Sequence, residues 1–226
     1  MQPGGLVGWQ GGTVHVIFDL DGTVWDSEPG IVACMAHALA GLGLAVPPAE
    51  ELAANIGPPL RSMLAELGVS EHRLDDGVRL YRERYLTDGV FEAQLYDGIV
   101  EVLDLLRAEG HTLATATSKG TDPTHTMLEH FGIGERFAVV GAASMDGTAT
   151  TKAEVLALTL AGLGLPDPTD CVLVGDRHYD VMGAAVYRIG CIGAAWGYGG
   201  ADELRMAGAV AVAMRPADVP PLVRHR

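Results

Sequence analysis

The sequence predicts an α/β protein: a parallel sheet covered by helices on both faces, interrupted early by an all-helical insertion. Three observations carry this. Residues 14–20 form an apolar run that ends on two aspartates and a glycine. Residues 26–92 contain no convincing strand, and beyond residue 98 strand-length apolar runs alternate with helical spacing.

The first run, Val14, Val16, Ile17, Phe18 and Leu20, has the composition of a buried strand, and Gly22 and Thr23 break it. Asp19 and Asp21 emerge on one side at its carboxyl end because side chains alternate along a strand. Two acids forced together repel, so positive charge must come from elsewhere; a divalent cation and a phosphoryl group would satisfy them. A calcium loop of the EF-hand type fits poorly, because Thr23 and Val24 stand at its fifth and sixth positions, where an acid or amide and a glycine are needed.

After this strand, Ile31, Cys34, Met35, Ala38, Leu39 and Leu42 recur at the spacing of one helix face, and Gly43 with Pro47-Pro48 ends the pattern. Shorter helices are expected over 49–55, 59–67 and 71–87. Helix 98–109 then leads to strand 111–117, helix 122–131 to strand 137–141, and helix 152–163 to strand 171–175. Helix 179–188 leads to strand 191–195, and a last apolar run lies at 209–213. In parallel sheets of this kind ligands bind outside the carboxyl ends of the strands. Residues 1–12 are expected to form a disordered Gly-rich leader, since they lack the basic and apolar regions of a signal peptide. Residues 215–226, with three prolines and three arginines, are expected to be surface-bound or frayed.

Composition narrows the class. The chain has 226 residues, 48% of them hydrophobic and 19% charged, and a formal net charge of −14, which argues against nucleic acid or an anionic membrane as partner. No stretch is long and apolar enough to span a bilayer. Cys34, Cys171 and Cys191 are far apart with no Cys-x-x-Cys pair, as expected of reduced thiols in a cytoplasmic protein. His125 and His130 are five apart and do not share a helix face, so no zinc site is expected.

Three further motifs fall at strand ends. Thr117-Ser118-Lys119 offers hydroxyls and backbone N–H groups suited to phosphate oxygens at a strand-to-helix turn. Lys152 opens the helix that follows the predicted strand 137–141. Of fifteen basic residues only Lys119 and Lys152 are lysine; all others are arginine, which suggests that a compact point charge is needed at these two places. Asp176 and Asp180 follow strand 171–175, and hard oxygen ligands of this kind suit Mg rather than zinc or copper. Asp180 is also well placed to serve simply as an acid at a helix N-terminus.

The segment Asp19-Leu20-Asp21-Gly22-Thr23 resembles the signature of the haloacid-dehalogenase-like hydrolases, most of which are Mg-dependent phosphatases. The resemblance runs over about 14–215 and is closest to the phosphoglycolate-phosphatase-like subgroup, through residues 18–31 and Gly197-Tyr198-Gly199. Tyr96-Asp97-Gly98-Ile99 and Gly175-Asp176-Arg177 also resemble relatives of the 5′-nucleotidase kind. The resemblance implies a Rossmann-like core, 13–25 and 93–226, and a small helical cap, 26–92, with hinges near 24–27 and 88–97. It implies that Asp19 is the nucleophile and a metal ligand. Asp21 would be the general acid and base, ligating Mg through its backbone carbonyl, with Asp176 and Asp180 as further ligands. Thr117 and Lys152 would complete the catalytic set, with Gly22, Thr23, Ser118 and Lys119 around the substrate. Arg61, after Gly57-Pro58-Pro59, is a candidate for reaching an anionic substrate group, or else a solvated helix charge.

The expected partner is a small phosphorylated metabolite such as phosphoglycolate, bound by a monomer or homodimer. A nucleotide 5′-phosphatase, a sugar phosphomutase and a non-enzymatic phospho-ligand binding protein are the alternatives. The cap has no lysine, which disfavours Schiff-base phosphonate hydrolysis, and Asp21 argues against the dehalogenase branch, which lacks a second Asp there.

Overall fold

The computed structural model describes residues 13–144, 148–165 and 168–224. The expected leader, 1–12, lies outside them. In chain order, β1 (His15–Phe18) and β2 (Trp25–Asp26) precede four helices, α1 (Glu28–Gly41), α2 (Ala49–Ala54), α3 (Leu60–Glu66) and α4 (Leu74–Arg84). The last continues into a π-helical turn, Tyr85–Gly89. Then follow β3 (Gln94–Leu95), α5 (Ile99–Ala108), β4 (Thr112–Gly120), α6 (Thr121–His130), β5 (Val139–Ala143) and α7 (Lys152–Gly162). The chain closes with β6 (Cys171–Gly175), α8 (His178–Val186), β7 (Gly190–Ala194), α9 (Gly200–Ala207), β8 (Ala211–Ala213) and α10 (Val219–Arg224).

Six strands form a parallel sheet in the order β5-β4-β1-β6-β7-β8. β1 sits at its centre, which explains why its residues are apolar without alternation: both faces are covered. Phe18 lies level with Thr115 on one side and Val174 on the other. Val16 and Phe18 join the apolar cluster on one face, and Ile17 joins the cluster on the other. The first of these clusters runs on without a break into the helical insertion, through Trp25, Met35, Leu39, Leu64 and Tyr85. All six residues of the helix-spaced pattern in α1 and at its end, Ile31 to Leu42, are buried.

Three differences from the sequence expectation matter. β2 and β3 pair antiparallel in a two-stranded ribbon at the two ends of the insertion, where hinges were expected; two-residue strands have no period to detect. β4 does not stop at Thr117 but continues to Gly120, with a register shift against β5 between those residues. Such a bulge re-aims the side chains it carries, here Lys119.

The third difference is that the tail, expected to be surface-bound or frayed, is surface-bound as a helix: residues 219–224 form α10, with Val219 and Val223 buried and Arg224 Nε donating to Glu109 Oε2 at 3.1 Å. Pro220 and Pro221 stand in the first turn of the helix, where no intrahelical N–H is required. We expect Val219→Ala to cost about 1–2 kcal/mol, the two lost methyl groups plus partial relaxation of the site. Chemical denaturation measures this, and an unchanged midpoint would mean that the tail does not dock.

Candidate active site

β1 ends in the middle of the sheet, and Asp19 is the first residue past it. Its N–H donates to Val174 O on β6 at 2.8 Å, so the backbone still belongs to the sheet while the carboxylate leaves it. One strand over, α7 opens with a capping box. Thr151 Oγ1 accepts from Glu154 N at 3.3 Å, and Glu154 Oε2 accepts from Thr151 N at 2.9 Å. That box fixes Lys152 at the first helical position, with 6% exposure. The Lys152 ammonium lies 2.8 Å from Asp19 Oδ1 and 2.7 Å from Asp180 Oδ1, and donates to Ala116 O at 2.7 Å.

Asp176 and Asp180 complete the acidic set at the end of β6 and the start of α8. Among the described residues, Asp19, Asp176 and Asp180 form the group of acids able to hold a cation, with one carboxylate oxygen from each within 4.8 Å of the others. Burial pushes the Asp19 carboxyl up to about 7, against the pull of Lys152 and with help from Asp180. Burial also raises Asp176 well above the carboxylate range, reinforced by Asp180 and Asp19. Burial alone would lower Lys152, but Asp180 and Asp19 more than offset it and hold the ammonium above the usual lysine range. One lysine therefore does not neutralise three acids.

The donor set fits a hard divalent cation. Asp19 Oδ1 and Asp180 Oδ1 meet Lys152 as ions without an aligned hydrogen bond, so each keeps lone pairs for a further positive charge. The surroundings of Asp176 are shaped to match. Gly22 has φ +79°, and a Cβ there would stand 2.3 Å from Asp176 Oδ2; a Cβ on Gly197 would lie 2.4 Å from the Asp176 Cβ. Tyr198 N donates to Asp176 Oδ2 at 2.8 Å, and Thr23 Oγ1 donates to its Oδ1 at 3.2 Å. Asp180 plays two parts: Oδ1 faces the lysine, and Oδ2 accepts from Arg177 N at 3.0 Å as a helix-terminus acid.

Asp21 turns the other way. Its Oδ1 accepts from Trp25 Nε1 at 2.8 Å and from the Ser27 hydroxyl, and its Oδ2 lies 3.1 Å from Lys119 Nζ. The Lys119 side chain is only 7% exposed, and its ammonium donates to the hydroxyl of Tyr85, from the helical insertion. Burial would lower Lys119, but Asp21 and Tyr85 more than offset it. The two lysines of the chain are thus divided between the two acids of the first strand.

Of the other expected residues, Thr117 is buried at the carboxyl end of β4, where its Oγ1 accepts from Lys119 N at 3.2 Å, and Ser118 is half-buried beside it. Gly22 and Thr23, expected around the substrate, lie against Asp176 instead; the Thr23 side chain is fully buried and its hydroxyl is committed there. Arg61 is exposed on α3 and paired with Glu71 and Asp75 of the insertion, as its alternative reading, a solvated helix charge, has it. Tyr85, Trp25 and Ser27 were not among the expected site residues. Tyr198, of the Gly197-Tyr198-Gly199 motif, accepts from Ser27 N at 2.9 Å and donates to Asp26 Oδ1 at 3.2 Å.

Two outcomes test this electrostatic picture. Lys152→Met, which leaves the acids without their internal counter-charge, should destabilise the fold by about 3–5 kcal/mol at pH 8. The loss should be smaller at pH 5, where Asp19 takes up a proton; equal losses in urea titrations at both pH values would contradict the pairing. Because Asp19 is raised from 3.8 to about 7, the folded state holds that proton more tightly than the unfolded chain. Stability without a cation therefore falls as pH rises through that window. A cation has to displace the proton, so the thermal shift on adding a divalent ion should be larger at pH 8 than at pH 5.

Comparison with known proteins places this geometry. The model of the haloacid dehalogenase-like hydrolase family matches residues 16–194. The tyrosine-protein kinase PtkA of Mycobacterium tuberculosis is 43% identical over 187 residues, 83% of this chain; the chain spans 64% of the length of that relative. A 5′-nucleotidase of Pseudomonas aeruginosa is 38% identical over 192 residues, covering 84% of this chain and 86% of that protein. The solved structure of the haloacid dehalogenase-like family hydrolase SP0104 from Streptococcus pneumoniae aligns with a TM-score of 0.86 at 29% identity, over 93% of this chain and 98% of that one. With four-fifths of the sequence under the family model and its acids gathered at the carboxyl edge of a parallel sheet, the chain belongs to the haloacid dehalogenase-like hydrolase family.

Proposed function

We propose that the protein is a Mg-dependent phosphatase that hydrolyses small phosphate monoesters through an aspartyl-phosphate on Asp19. The observation that carries this is the division of partners between two acids two positions apart. Asp19 faces Lys152 and the other acids, while Asp21 faces Lys119, Trp25 and Ser27. Identical side chains in such different surroundings support different tasks.

Asp19 attacks phosphorus as its carboxylate, the form that Lys152 and a bound cation would favour over the protonated acid. Asp21 protonates the leaving oxygen as its bond to phosphorus breaks, then takes a proton from the water that cleaves the acyl-phosphate. Lys119 favours the carboxylate that Asp21 becomes. Thr117, Ser118 and Lys152 are positioned at the strand ends to bind phosphoryl oxygens. Asp19, Asp176, Asp180 and the Asp21 carbonyl would hold the Mg ion, which supplies positive charge against the transferring phosphoryl.

The insertion, 26–92, acts in this reading as a cap that shields the reaction from water. Phosphoglycolate is the leading substrate by the subgroup resemblance. Nucleoside 5′-monophosphates are the second reading, favoured by the 38% identity to a nucleotidase over most of both chains. The three cysteines, all buried and far apart in the sequence, support a reducing, cytoplasmic setting for a monomer or homodimer.

The test is a panel of phosphate monoesters, including phosphoglycolate, nucleoside monophosphates, sugar phosphates and an aryl phosphate, with and without Mg. Hydrolysis should require Mg and drop by at least about 10³-fold in Asp19→Asn. A fully active variant would remove the nucleophile assignment. Asp21→Asn should slow turnover by about 10²–10⁴-fold while leaving the thermal shift with Mg in place. Transfer of phosphate from ATP to a tyrosine peptide, without ester hydrolysis, would favour the activity named for the mycobacterial relative.

A further inference from the structure

The helical insertion sends a second hydroxyl toward the site, besides that of Ser27. Tyr85 opens the π-helical turn that ends α4, an element rare in proteins and frequent at functional sites. The turn is pressed against α1: a Cβ on Gly30 would stand 2.2 Å from Gly89 O, and a Cβ on Gly89 would stand 2.5 Å from Cys34 Sγ. The Tyr85 ring is 4% exposed and stacks on Tyr81, with centroids 5.5 Å apart and planes at 16°. Its hydroxyl donates to Met127 Sδ at 3.5 Å and accepts from Lys119 Nζ. The same ammonium lies 4.6 Å from the ring centroid and 3.1 Å from Asp21 Oδ2.

Lys119 is thus held from two sides, by an acid of the core and a phenol of the insertion. Asp21 Oδ1 is fixed independently by Trp25 and Ser27. Only Oδ2 depends on Lys119, and only Lys119 depends on Tyr85. We propose that Tyr85 is a positioning residue for the proton transfer by Asp21, an inference that rests on the phosphatase reading above. Its hydroxyl and ring hold Lys119 against Oδ2 when the insertion is docked, so the acid is aligned for the leaving oxygen only in that state. As the ester bond to phosphorus breaks, the proton passes from Asp21 to the leaving oxygen. Lys119 keeps its own proton and stabilises the carboxylate that remains.

Tyr85→Phe tests this, because it keeps the ring on Tyr81 and removes only the hydroxyl. In single-turnover assays that read release of the leaving group, before the water step that Asp21 also serves, release from an alkyl phosphate, whose leaving oxygen needs a proton, should slow about 10-fold or more. Release from p-nitrophenyl phosphate, whose leaving group needs none, should slow less than about 3-fold. A purely structural role would slow both together, and that result, or no loss on either, overturns the proposal. The chain has only two lysines, so acetylation read by peptide mass gives a second measurement that needs no turnover. Lys119 should label faster in the variant while Lys152 stays as protected as in the parent; unchanged Lys119 labelling overturns the contact. A parent protein that hydrolyses neither ester in Mg would instead overturn the phosphatase reading, whatever the labelling shows.

Discussion

The ammonium of Lys152 is the group on which the rest of the site depends. It is buried between Asp19 and Asp180, at the junction of β1, β4, α7 and α8, and it takes up a carbonyl of the neighbouring strand. A buried ion pair is weak evidence for stability, since desolvation offsets much of the attraction. Here the balance is further tilted, because Asp176 brings a third buried carboxylate without a lysine of its own. The fold has therefore placed more negative charge in its interior than it neutralises. Such an arrangement suits a site able to hold a divalent cation.

The same imbalance organises the surroundings. Each acid that faces the interior is met by a device that limits how far it can relax. Asp176 is hemmed by Gly22 and Gly197 and bonded by Thr23 and Tyr198, and Asp180 is tied to the start of α8. Tyr198 then reaches Ser27 and Asp26, so the loop that supports the metal side of the site also grips the start of the insertion. Asp21, two residues from Asp19, stands outside this cluster on a separate lysine. A single central strand can thus present two acids with different electrostatic histories, because its neighbours β4 and β6 lead to different helices.

Much of this was legible in the sequence. The uninterrupted apolar run of β1 announces a central parallel strand, and the later alternation of elements gives the five other strands nearly in place. The rarity of lysine singled out Lys119 and Lys152, and both are buried against the acids. What sequence reasoning lost has a common physical form. The ribbon of β2 and β3 is too short to show a period. The tail helix is masked by its prolines, which are tolerated because they fall in the first turn. Arg61 followed a glycine-proline loop as an active-site cation might, but nearby Glu71 and Asp75 compete for it, and local pairing won. Tyr85, Trp25 and Ser27 look like ordinary core or capping residues in sequence. Their roles come from contacts with Asp21 and Lys119 that no periodicity encodes.

The insertion and the core also meet at a second point. Arg177 donates through Nη1 to the carbonyl of Ile56 in the insertion and through Nε to Glu203 Oε1 at 3.0 Å, while its own N–H caps Asp180. Glu203 also accepts from His178 N at 2.8 Å, so α8 and α9 are joined at the residue that touches the insertion. The residue before Arg177 is Asp176. Both bridges, Arg177 to Ile56 and Tyr85 to Lys119, therefore end within one residue of a site acid or on its ion-pair partner. Separating the insertion from the core would expose these charged groups to water and remove a partner from each side of the site at once. The contacts that join the insertion to the core therefore lie beside the groups that partner the acids.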